Sequence, residues 1–321
     1  MRILVVTLHA GENEFERCVE SIRRQTHPIR HHLVVEGLPV AEAHEVAYSY
    51  FYSRPSEFDL MVKVDADMVL HSDRLFEGIV RRFTERPDLM VLGIAVEDFF
   101  TGGSIWGLNS YRNGLAWKGL PDPVYADRLE VPPGATELDD RVLAPAAVHA
   151  PDPSPFQAFH YGVHRGSKVR YALSIGNREW ASLRLLDLHR TWRNAGRRRD
   201  RRLYLAALGG ELALAGTLGW EAIDYSHPRA RELFSRVESW PAGRLRRAVV
   251  RLRRVRGGWL PPDLRLLALE GRPPGSWVAA GVRLALRRAS ASMRAVLREA
   301  RLAGAAGQRS SPRTSRRNSR A

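Results

Sequence analysis

Four β-rich apolar runs alternate with three helix-spaced stripes in the first hundred residues, and this alternation restricts the fold more than any other feature of the chain. Ile3 to Thr7, Leu33 to Val35, Leu60 to Val64 and Leu89 to Val96 are short, apolar and bounded by turn-prone segments, as strands are. Between them Phe15, Cys18, Val19 and Ile22 recur at helical spacing, and Ala41 to Phe51 reads as a second helix. Leu75, Phe76, Ile79, Val80 and Phe83 form the apolar stripe of a third. Asn13 with Glu16 has the spacing of a capping box for the first helix, and Ser72 is the expected cap of the third. Strands and helices in alternation predict an α/β fold, a mostly parallel sheet with helices on both faces. Ligands of such sheets bind beyond the carboxyl ends of the strands, which would gather Thr7, Glu36 and Asp65 to Asp67 on one surface.

Past this frame, Thr101-Gly102-Gly103-Ser104-Ile105-Trp106-Gly107 reads as a hairpin or the rim of a site. A Pro/Asp-rich loop follows, then an expected strand over Val142 to Val148 and a histidine-dense segment from His149 to His164. These complete a unit over residues 1 to 165. Residues 166 to 240 read as a basic helical extension, and 241 to 303 hold two amphipathic helices, Arg244 to Arg256 and Trp277 to Leu302. Residues 304 to 321 are Ser/Arg-rich and are expected to be disordered.

Charge divides the chain in the same way. Residues 1 to 164 carry 15 Lys and Arg against 24 Asp and Glu, a net −9, whereas 241 to 321 carry 20 against 3, a net +17. The acidic part is the one that can hold a cation, and the basic part is a separate electrostatic object. Cys18 is the single cysteine, so an intramolecular disulfide and a thiolate metal cage are excluded. On the apolar face of its helix it reads as a small core residue. The N-terminal apolar run is too short for a signal peptide, and no stretch of 18 residues is uninterruptedly apolar. A cytoplasmic protein without a membrane span is expected, one that touches the inner membrane face only peripherally.

The sharpest chemical signal is Asp65-Ala66-Asp67 at the end of Leu60 to Val64. Two carboxylates one residue apart, where a buried strand spills into a loop, can share a divalent cation and leave its other positions open to ligand oxygens. A nucleotide diphosphate requires that arrangement. Lys63 shares their face in strand alternation, either contacting phosphate or neutralising the carboxylates.

Cys18-Val19-Glu20-Ser21-Ile22-Arg23-Arg24-Gln25-Thr26, Leu33-Val34-Val35-Glu36 and Lys63-Val64-Asp65-Ala66-Asp67 stand in the order and at the spacing seen in GT-A glycosyltransferases. Over residues 1 to 165 the chain resembles the family 2-like branch of that group. The resemblance implies a Rossmann-like GT-A core with an α-helical C-terminal extension, a Mn²⁺ or Mg²⁺ cofactor, and a UDP- or GDP-linked sugar passed to a hydroxyl acceptor. It implies that the Thr7 region and Glu36 contact the nucleoside, that Asp65 lies near ribose and metal, and that Asp67 ligates the ion bridging the diphosphate. Many members add a histidine after the last core strand, a position that His149 fits best, with His160 and His164 as rivals. An inverting transferase, the family expectation, also needs a base for the acceptor hydroxyl. Glu137, Asp139 and Asp140 are the candidates, in no clean motif, which leaves inversion against retention open.

Two other classes compete. Asp65-Ala66-Asp67-Met68-Val69 also fits the nucleophile motif of haloacid-dehalogenase-type phosphotransferases, with Asp65 as nucleophile and Asp139-Asp140 as the late acidic pair for Mg²⁺. Against it, the motif follows two βα units instead of the first strand, and Lys63, Lys118 and Lys168 stand in no evident motif. The second is a non-enzymatic protein that binds nucleic acid or a membrane surface through its basic end. Leu245, Ala248, Val249, Leu252 and Val255 make one stripe among arginines, which suits a helix on an anionic membrane or a plain packing helix. No specific nucleic acid is expected.

Overall fold

The computed structural model describes residues 1–114, 118–120, 122, 124–126, 136–140 and 142–256. The expected helix over Trp277 to Leu302, the Ser/Arg-rich end and most of the Pro/Asp-rich loop lie outside the described residues.

Each expected strand of the first hundred residues is present: β1 (Ile3–His9), β2 (Ile29–Glu36), β3 (Leu60–Lys63) and β5 (Leu89–Asp98), with a short β4 (Met68–Leu70) between the last two. Helices α1 (Phe15–Arg23), α2 (Val40–Tyr52) and α3 (Leu75–Glu85) alternate with them. The even and odd residues of β1 serve opposite faces, as a pleated strand requires. Ile3 and Val5 pack with Ile22, Phe76 and Ile79 of α1 and α3, while Leu4 and Val6 pack with Ala47, Tyr48 and Phe51 of α2.

The sheet is mixed, not mostly parallel. Its order is β2-β1-β3-β6-β5-β8-β4, with β7 (Thr136–Asp140) also on β5 and β8 (Ala147–His149) near the far edge. β1 runs parallel to β2 and β3, but β6 (Gly103–Arg112) lies antiparallel between β3 and β5. The cause is the Gly-containing segment read as a hairpin or the rim of a site, which takes the hairpin form between β5 and β6. A tight turn returns the chain antiparallel to the strand it leaves, whereas a parallel return needs a long crossover. Gly102 supplies the left-handed φ of +65° at that turn.

Three local expectations need correction. The N-cap of α1 is Glu14, without a side-chain cap bond, while the Asn13 amide donates to the carbonyl of Asp152. Ser72 accepts from Arg74 N, one turn ahead of α3, instead of capping it. Of the expected strand only Ala147 and Val148 are β structure, in β8. Val142 is 76% exposed, and Pro145 has no N–H to give a ladder.

The rest is helical: α4 (Pro155–Ser174), α5 (Arg178–Arg198), α6 (Arg201–Leu214), α7 (Pro228–Ser235) and α8 (Ala242–Arg256). α4 opens on a full capping box, Ser154 with Gln157, and Pro155 in its first turn. The boundary expected near residue 165 therefore falls inside a helix. Leu245 and Val249 of α8 are fully buried in the helical core, Ala248 and Leu252 pack against it, and Arg253 pairs with buried Glu211 at 3.2 Å. Leu245, Ala248, Val249 and Leu252 of the stripe considered for a membrane thus face the protein. Among the described residues no helix is long and apolar enough to cross a membrane.

Candidate functional site

The acidic pair is held by backbone from two directions. Val64 N donates to Val6 O at 2.9 Å and Ala66 N to Leu8 O at 3.3 Å, while Ala150 N donates to Asp67 O at 2.7 Å. The loop after β3 is thereby tied to β1 and to the exit of β8. Ala150 sits at φ 49°, a left-handed conformation disfavoured for a residue with a Cβ.

Strand register brings the third member. In β8, His149 pairs with Met68 of β4 on one side and Asp98 of β5 on the other, so its ring lies between Asp67 and Asp98. Nε2 is 3.1 Å from Asp67 Oδ2 and Nδ1 is 2.7 Å from Asp98 Oδ1. The second Asp98 oxygen accepts from Thr101 N at 2.7 Å. Asp67 Oδ1 is buried and has no hydrogen-bond partner. Lys63, only 3% exposed, donates to Asp65 Oδ1 at 2.6 Å, so it neutralises a carboxylate.

Burial works against every charge here. For His149 the two carboxylates outweigh it and push the imidazole up to about 10. Burial also opposes the Asp67 carboxylate, but His149 and Lys63 hold it below the usual range. Glu12 is pushed up to about 7 by burial and then by Asp67, despite accepting from Ala10 N at 2.7 Å. Burial and the same carboxylates raise the Cys18 thiol, which contacts Asp65 O at 3.6 Å and acts as an inert core residue.

Glu12, Lys63, Asp65, Asp67 and His149 border a cavity of about 260 Å³ at the carboxyl ends of β1 and β3. Leu8, Ala10, Val35 and Leu38 give it an apolar side, and Trp106 and Asn109 of β6 another. The far wall belongs to α4 and α5. Gln157 joins the two halves: its Nε2 donates to Glu14 at 2.7 Å and its Oε1 accepts from Asn13 N at 3.1 Å, pinning the loop after β1 to α4.

Asp65, Asp67, Lys63 and His149 are brought together as the sequence suggests. Thr7 and Glu36 are not. The Thr7 hydroxyl is 2.9 Å from His32 Nε2, and exposed Glu36 pairs with His9 at 3.1 Å, so their neighbours Leu8 and Val35 border the cavity instead. Glu137 and Asp140 lie on β7 and do not border it. Asp140 accepts from Arg82, Val142 N and Leu143 N, and so braces a loop. Asp139 pairs through its backbone with Gly93, and its side chain lies outside the described residues. His160 and His164 border the cavity, but His160 Nε2 is 3.0 Å from Asp224 O, and of the three histidines only His149 pairs with Asp67.

Sequence reasoning missed Asp98, Glu12 and Arg165. Asp98 carried a usable signal, as the carboxylate closing an expected strand. The other two reach the cavity only through long-range packing.

The donor set suits a hard cation. Without a cation His149 is an imidazolium between Asp98 and Asp67 Oδ2; a cation here would take the place of its Nε2 proton while Asp98 keeps Nδ1–H, as outer carboxylates do for metal-ligating histidines. Among the described residues no cluster of three or more His, Cys, Asp or Glu is preformed to enclose a metal ion, so most of a cation's ligands would come from substrate and water. Compared with known proteins, the chain matches no family model and no curated protein.

Proposed function

We propose that this chain is a metal-dependent glycosyltransferase with a GT-A core, moving a sugar from a UDP- or GDP-linked donor to a hydroxyl. The observation that carries the reading is the buried, unpartnered Asp67 Oδ1 beside an oriented His149, at the carboxyl ends of parallel strands and on the edge of a cavity. Asp67 and His149 would hold a Mn²⁺ or Mg²⁺ ion, with Asp65 next to them. When bound, that ion neutralises charge developing on the departing diphosphate. Lys63 fixes Asp65, and the apolar side formed by Leu8, Ala10, Val35 and Leu38 suits a nucleoside. Exclusion of water by the helical wall favours transfer over hydrolysis.

A thermal-shift panel of UDP- and GDP-sugars with and without Mn²⁺ tests donor class and metal need together. Asp67→Ala is expected to abolish Mn²⁺-dependent stabilisation while leaving the unliganded protein folded by circular dichroism. Donor binding by that variant as strong as the parent's would remove the metal site from the reading.

A further inference from the structure

The helical wall of the cavity is basic. Arg165 and Lys168 of α4 and Arg184 of α5 all border it. They surround His164, which is held well below its ordinary pKa by burial first and then by Lys168, Arg165 and Arg184. This wall meets the acidic corner across one aromatic ring: Tyr161 lies 6.1 Å from the His149 ring and 5.0 Å from the Arg165 guanidinium carbon.

Arg184 has a carboxylate, Asp187, at 3.0 Å. Arg165 has no carboxylate at ion-pair distance among the described residues; Asp187 and Asp98 act on its charge only from farther off, beside the Tyr161 ring. Arg165 is 9% exposed, and its Nε has no hydrogen-bond partner. Leaving one buried N–H of an ionised group unpaired is costly, and a guanidinium fork matches the two oxygens of a carboxylate or phosphate. A sugar hydroxyl could accept from the unpaired Nε–H, but only an anion supplies a counter-charge as well.

We infer that this wall is a binding site for an anionic group, a carboxylate or a phosphate, that the substrate carries in addition to its nucleotide diphosphate. The inference rests on the glycosyl-transfer reading, which assigns the diphosphate to the acidic corner. The anion is then either the carboxylate of an acidic donor sugar or a phosphate on the acceptor. The two corners differ in their need for metal: Asp65 and Asp67 repel a free anion, whereas the basic wall attracts one with no cation present.

The test is isothermal titration of the full chain with inorganic phosphate and with glucuronate in EDTA, repeated in the presence of UDP and Mn²⁺. At least one probe is expected to bind in both conditions, with Arg165→Met weakening it tenfold or more and Arg165→Lys restoring part of the loss. Tighter phosphate binding assigns the acceptor as the source, and tighter glucuronate binding assigns the donor sugar. If circular dichroism shows Arg165→Met unfolded, Lys168→Met replaces it with the same expectation. The inference is overturned if neither probe binds at millimolar concentration, if the variant binds as the parent does, or if UDP with Mn²⁺ displaces the probe competitively. Asp67→Ala separates the two readings: it should lose UDP binding with Mn²⁺ yet keep the probe, so failure at either corner is read independently.

Discussion

Asp98 shapes the acidic corner without bordering the cavity. One of its oxygens holds His149 Nδ1 and the other the turn at Thr101, so the ring's orientation is set by a carboxylate outside the cavity lining. Asp98→Asn keeps the volume but loses the charge that selects Nδ1–H. Its Mn²⁺ affinity is expected to fall about 10- to 100-fold, measured by electron paramagnetic resonance titration. An unchanged affinity would leave Asp98 with a purely structural role. His160 gives a pH prediction. Burial lowers its folded pKa to about 4, below the unfolded value near 6.5, so the unfolded chain takes up the proton first as pH falls. Its contribution to stability is therefore lost between about 6.5 and about 4. Glu12, raised to about 7, shifts in the opposite sense and would mask this in the parent alone. The clean observable is the difference from His160→Gln, whose amide can take the place of Nε2 toward Asp224 O but does not titrate. Over that window urea denaturation should move in the variant's favour by on the order of 3 kcal/mol, and a constant difference would contradict the burial.

At the scale of elements, the crossing of α4 and α6 positions the basic wall. The helices meet through glycine: a Cβ on Gly162 would lie 1.8 Å from Ala206 O, and one on Gly209 2.1 Å from Phe159 O. Backbone this close leaves no flexible side chain to yield. Gly162→Ala is expected to cost about 2–4 kcal/mol in urea unfolding, since the clash exceeds the roughly 1 kcal/mol that alanine gains in a helix. Gly196 of α5 is the control. A Cβ there meets nothing within 4 Å, so Gly196→Ala should stabilise by up to about 1 kcal/mol. Equal signs for the two substitutions would refute the close crossing. The same element scale explains α8, whose period was legible but whose partner was not: a stripe of Leu245, Val249 and Leu252 suits a membrane or α6 equally, and only packing chooses.

For the whole molecule, net charge separates the catalytic candidate from the basic end. Residues 257 to 321 carry 13 arginines against 3 acidic residues, a net +10, and the remainder carries +5. The full chain should sediment with phosphatidylserine vesicles at low ionic strength and be released by 0.5 M salt, as screening shortens the reach of exposed charge to about 4–5 Å. A chain ending at Arg256 should sediment far less. Truncation at residue 241 would be a poor test, because it strips α8 from the helical core and exposes Leu245 and Val249. Equal sedimentation of the two chains would show that residues 257 to 321 do not drive the contact.

The sequence by itself determined the alternating frame, the helices on both sheet faces, the hairpin before β6 and the Asp65 and Asp67 corner, because each depends on residues close together in the chain. Period, turn chemistry and a strand-end carboxylate pair are local properties. Only the tertiary structure decided that β6 inserts antiparallel between β3 and β5, that Asp98 rather than a loop carboxylate orients His149, and that Asp140 braces Arg82 far from the cavity. It also decided that Arg165 faces the acidic corner. These are outcomes of register and helix crossing, where residues distant in the chain meet, and no local pattern encodes which distant partner a buried charge will find.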